Sequence, residues 1–219
     1  MTGNNQINVG DANYVASLGT LSLSGLAEPT VPPPPRGSSP LLAASEPAVP
    51  RTDSIVSQRS VDRIVSAAIQ VWAAAGLSLA EIQRLKSVTV TVADLGAGGY
   101  LGLSSENRIL IDDNAAGWGW FVDSTPRHNE EFVKNRSSLE LRAKTRSQAD
   151  QRMDLLTVVM HELGHQLGLS DDHSAAHMDT LLAARLTPGT RRLPDPVSMP
   201  PGFAAPELPS SIRKPIVRR

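Results

Sequence analysis

The stretch "VVMHELGHQLGLSDDHSAAHM", residues 158–178, holds four of the five histidines of a 219-residue chain. Apolar residues at Leu155, Leu156, Val159 and Leu163 predict a helix running into it from "QADQRMDLLT", with Asp150 as its N-cap. On that helix His161 and His165 stand four apart. A helical turn takes about 3.6 residues, so both imidazoles leave the same face and can converge on one cation. Glu162 is rotated by roughly 100° from His161, out of the ligand plane but able to reach a metal-activated water. Gly168 can take positive φ, end the helix and turn the chain back under the metal. Asp171 then follows in place to give a third ligand, with His173 the alternative and Asp172 the remaining rival.

The string H-E-x-x-H-x-x-G-x-x-D therefore predicts a hydrolytic zinc site. In that site His161 and His165 are the expected ligands, with Asp171, His173 or Asp172 as the third, and Glu162 is the expected catalytic base. A carboxylate ligand leaves the centre one unit less positive than three histidines do, so it acidifies water less and leans more on Glu162. His161 also follows "LLTVVM", a run that belongs in a core, where a histidine without a partner is costly.

Outside this helix, proline maps the chain. All but Pro126 of the 17 prolines fall at positions 29–50 or 188–215. Residues 1–54 read as a Pro-rich linker or the remnant of a preceding module, 55–194 as the folded domain, and 195–219 as a disordered basic tail. Within the domain, Val61, Ile64, Val65, Ala68 and Trp72 form a helical stripe stopped by Gly76. "SVTVTVADLG" alternates as a strand with one buried face, and "GGYLGLSSENRILIDD" reads as two strands around a turn. Residues 124–149 are charge-rich and read as a long loop or irregular helix. Helix, strands, helix is an α+β order.

The formal net charge of −1 argues against a nucleic-acid binder, which needs a surplus of Lys and Arg. The absence of Cys excludes disulfides, thiolate zinc sites and thiol nucleophiles. No apolar run reaches the roughly 20 residues needed to span a bilayer, and the first residues lack a signal-peptide pattern. Solvated surface is the better reading of His128, His173 and His177, and strand packing of Trp118 and Trp120. Asp112, Asp113 and Asp123 are candidates for Ca²⁺ without EF-hand spacing.

"DLLTVVMHELGHQLGLSDD" resembles the zinc helix of the metzincin metallopeptidases, on the matrixin and serralysin side. "VWAAAGLS", "VADLGAGGYLGLSSENRILIDDNAAGWGWFVDSTP" and "LTPGTRRLP" are similar to a matrixin-like module of large bacterial surface proteins, over about residues 55–194. The resemblance implies a metzincin-like fold with a small, mostly parallel twisted sheet, two main helices and a zinc cleft between disordered flanks. It implies a zinc endopeptidase acting on a protein or peptide, extracellular or at the cell surface, in a polypeptide longer than this one. The alternative is a zinc-binding, weakly active processing or interaction module. Metzincins carry a methionine in a turn beneath the metal. Here that position falls on Leu182, with Met178 a second candidate, and the family's following tyrosine falls on Ala183. The family's first strand is not evident ahead of the first helix. By the same resemblance, "GYLGL" or "RILID" is the edge strand that pairs with substrate, and residues 179–187 line the pocket beyond the scissile bond.

Overall fold

The computed structural model describes residues 40–51, 55–135, 139–174 and 177–195. Most of the linker assigned to residues 1–54 and of the tail assigned to residues 195–219 lies outside them. The chain enters the described sheet at β1 (Leu41–Ala43), ahead of residue 55. Leu41 is 1% exposed, inside the main core, although it sits in a proline-rich stretch.

Helix α1 (Gln58–Ala74) starts at Ser57, whose side chain accepts from the Ser60 backbone N–H. Its buried face is Val61, Ile64, Ala68 and Trp72, and Gly76, at φ +116°, turns the chain away. A short helix, α2 (Leu79–Lys86), follows behind a capping box in which Ser78 and Glu81 satisfy each other's backbone. Strand β2 (Thr89–Ala93) leads to the hairpin of β3 (Tyr100–Ser105) and β4 (Arg108–Asp112).

Three small strands come next, β5 (Trp120–Phe121), β6 (Phe132–Lys134) and β7 (Glu140–Ala143). Then β8 (Met153–Asp154) runs straight into helix α3 (Leu155–Gln166). Two short strands close the fold, β9 (Arg185–Leu186) and β10 (Thr190–Arg192). The described residues of 124–149 thus supply β6 and β7 and, among them, no helix. Phe132 and Leu141 pack there with Phe121 in a second, smaller core.

The main sheet has the order β2-β4-β3-β1-β9. Ladders β2–β4 and β1–β9 are parallel, while β3–β4 and β1–β3 are antiparallel, so the sheet is mixed rather than mostly parallel. The reversal comes from the tight β3–β4 hairpin. Of the two strands expected to pair with substrate, "RILID" lies between β2 and β3, while "GYLGL" has β4 on one side and the three-residue β1 on the other. β10-β7-β6 form a separate antiparallel sheet, and β5 pairs with β8. Trp120 is buried and donates its indole N–H to the Asp112 carbonyl at 2.9 Å, which makes it a packing residue. Trp118 ties the loop back to the Ser45 carbonyl at 2.9 Å. Among the described residues, no helix is long and apolar enough to cross a membrane.

Candidate metal centre

Helix α3 is buried on nearly every side, so its polar residues are held by protein rather than by water. It begins four residues later than the sequence suggests. Gln151 has φ +57°, which breaks any helix started at Asp150. The N-cap is instead Asp154, whose carboxylate accepts from the Thr157 N–H at 3.1 Å and hydroxyl at 2.7 Å. Asp154 is fixed in turn by Arg191 of β10, a buried guanidinium that also reaches Asp123 at 2.7 Å.

The C-terminal end decides the site. Gly168, at φ +87°, forms a left-handed cap: its N–H reaches the His165 carbonyl at 2.9 Å and the Leu169 N–H reaches the Gly164 carbonyl at 3.1 Å. That turn folds residues 169–171 back onto the histidines. The Leu169 carbonyl then accepts from His165 Nδ1 at 2.9 Å. The Leu181 carbonyl, from the chain's return pass, accepts from His161 Nδ1 at 2.9 Å.

A carbonyl oxygen only accepts, so each Nδ1 carries a proton, and in the neutral ring the lone pair is then on Nε2. The two Nε2 atoms stand 3.0 Å apart. Asp171 Oδ1 lies 3.3 Å from one and 3.4 Å from the other. Three electron-rich atoms converge with a positive partner called for at their centre. Ligands about 2.0–2.1 Å from a tetrahedral zinc stand roughly 3.3 Å from one another, so the spacing and the donor types both fit that ion. The Nδ1-to-carbonyl bonds are the outer contacts that orient metal-binding imidazoles.

Glu162 is fully buried, and neither carboxylate oxygen has a hydrogen bond of ordinary geometry. Burial pushes its carboxyl up, with the two histidines and the Leu41 backbone N–H pulling the other way. Gly102 of β3 lies directly over it: a Cβ there would stand 2.7 Å from Glu162 Oε1 and 2.8 Å from its Cγ. The sequence reading missed Gly102. An isolated glycine inside "YLGLSS", marking close approach of another group to the strand, is the signal that could have found it.

The other candidates separate cleanly. His173 is exposed and outside the cluster of His161, His165 and Asp171. Asp172 accepts from the Ser174 N–H and pairs with exposed His177 at 2.8 Å. Met178 is 56% exposed and cannot floor the site. Leu182 can: a Cβ on Gly164 of α3 would come within 3.0 Å of its Cδ2. Asp94, Asp112 and Asp113 form a second acidic group. There Asp112 already accepts from the Leu95, Asn114 and Ala116 N–H groups, which shapes the loop, while Asp123 is held by Arg191.

A central helix carrying paired imidazoles, a carboxylate brought up by a glycine turn and a mixed sheet laid against it make an α+β fold built around a candidate metal centre. The matrixin family model matches residues 48–192, more than half of the chain, and the protein belongs to that family. Matrixins are zinc metallopeptidases that act on proteins and are generally extracellular. No curated protein and no solved structure matches the chain.

Proposed function

We infer that the chain is a zinc-dependent endopeptidase with His161, His165 and Asp171 as metal ligands and Glu162 as general base. The observation that carries this reading is the convergence of three lone-pair donors at tetrahedral spacing next to a buried carboxyl. When bound, zinc supplies Lewis acidity toward the scissile carbonyl and acidifies water. Glu162 takes the proton of the attacking water and returns it to the leaving amine nitrogen. Its raised affinity for protons, set by burial, suits that exchange. The Leu169 and Leu181 carbonyls hold the imidazoles in the ligating tautomer, and Leu182 takes the methionine's place as apolar floor. That exchange is close to volume-conserving. The family's exterior setting, and this chain's place in a longer surface polypeptide, complete the proposal.

The test is Glu162→Gln. One zinc per chain by elemental analysis, with hydrolysis of a quenched-peptide library abolished, is the expected pair of results. Full activity in that variant refutes the assignment. Zinc bound by a parent chain that cleaves nothing favours the interaction-module alternative.

A further inference from the structure

The site just described is sealed. The side chains of His161, His165 and Asp171 are at most 2% exposed, and Glu162 is fully buried. A cavity of about 420 Å³ does touch Asp171, but neither histidine nor Glu162 is among its walls. A hydrolytic centre must admit both water and an extended chain, so whatever covers it is informative.

The cover is β1. It fills the slot between β3 and β9, antiparallel to the first and parallel to the second. The Leu42 N–H reaches the Ala184 carbonyl at 3.1 Å, the Ala43 N–H reaches Gly99 at 2.8 Å, and the Ala44 N–H reaches Leu186 at 2.8 Å. Alternate amides thus bond to opposite walls, as an added peptide strand does in a groove. Leu41 pairs with Gly102, the residue that lies over Glu162. A base that returns its proton to a leaving nitrogen stands beside the nitrogen of the bond to be cut. In this chain that nitrogen is Leu41's.

We propose that residues 40–43 are an intramolecular substrate mimic, an extended peptide that occupies the groove between β3 and β9 and presents the Pro40–Leu41 bond to Glu162. The proposal rests on the endopeptidase reading. The groove's ligand is then an extended segment with a leucine just after the scissile bond, buried as Leu41 is. In hydrolysis of that bond, water oxygen joins the Pro40 carbonyl carbon, the C–N bond breaks, and the proton held by Glu162 passes to Leu41 N. While β1 stays docked, the groove is closed to other peptides.

The test uses the full chain carrying Glu162→Gln, so that binding is read without turnover. Leu42→Pro with Ala43→Pro removes two of the amides that dock β1. A fluorescent peptide of residues 37–46 should bind this opened chain at least tenfold more tightly than its parent, by anisotropy. Equal affinity for both, or no binding to an opened chain that keeps its zinc and melting transition, overturns the proposal. Hydrogen exchange of the unsubstituted chain gives a reading free of mutational damage. Amides of residues 42–44 should exchange as slowly as those of β3, and exchange as fast as in the free peptide overturns it. With Glu162 restored, any cut made in the peptide by the zinc-loaded, opened chain falls between Pro40 and Leu41. A cut elsewhere overturns the register. Binding without any cut counts against the hydrolytic reading alone and supports the occupied groove.

Discussion

Gly102 has no side chain because Glu162 stands where its Cβ would be. Its backbone is ordinary strand, so the constraint is space alone. Gly102→Ala must push aside a fully buried carboxylate or bend β3, and overpacking of this kind costs about 1–3 kcal/mol. The cause can be isolated by a double-mutant cycle in thermal or urea unfolding. In a Glu162→Ala background the same Gly102→Ala change should be nearly neutral, because the obstructing carboxylate is gone. An unchanged penalty there would mean that Glu162 is not what the glycine accommodates. Asp171 is the matching test on the ligand side. Asp171→Asn keeps the shape but loses the charge. Its zinc affinity should fall by more than the roughly 10–100-fold typical of outer-contact changes, in a competition titration with a chromogenic chelator. His173→Ala, on the exposed loop, should leave affinity unchanged.

Helix α3 owes its position to both ends, and only one was readable. The glycine after the second histidine gave away the C-terminal turn, since a positive-φ position at fixed spacing from His165 is written in residue type. The N-terminal end was misread because Gln151 adopts φ +57° without being glycine, and because the capping Asp154 is fixed from β10, far off in sequence. That clamp is Arg191. It makes paired contacts to Asp154 at 3.0 and 2.8 Å, meets Asp123 at 2.7 Å and packs over the Phe132 ring at 4.3 Å. Burial alone would lower its pKa, but the two carboxylates outweigh that and raise it, so it stays charged. Arg191→Met strands both carboxylates in the interior and should cost about 3–5 kcal/mol in urea unfolding. Arg191→Lys should recover little of this, lacking the planar fork. A midpoint unmoved by either change would show that the helix start does not depend on the clamp.

The parts of the fold that escaped sequence reading share a physical cause. β1, β6 and β7 are three or four residues long, too short to show a period, and each is defined by the strands that flank it. Leu41 looks like a stray hydrophobe among prolines until β3 and β9 are both in place. Helices α1 and α3 and the β3–β4 hairpin carry their own patterns and are legible in the sequence, whereas the two-turn α2 is not. The imidazole pair was equally local, whereas the carbonyls of Leu169 and Leu181 that fix its tautomers come from chain reversals.

The same interlocking ties metal to stability. Asp171 and the two carbonyls reach the histidines only when α3, the Gly168 turn and residues 181–182 are assembled, so the unfolded chain has no comparable site. A ligand that binds only the folded state stabilises it by about 2.7 kcal/mol at a hundredfold excess over its dissociation constant. For a domain of this size each kcal/mol moves the melting temperature by roughly 2–4 °C. Chelation should therefore lower it by on the order of 5–10 °C, and returned zinc should restore it. In Asp171→Asn the shift on chelation should shrink toward zero, because the weakened site is largely empty at the same zinc concentration. Parent and variant curves moving together under chelator would mean that the ion stabilises the chain somewhere other than at these three side chains.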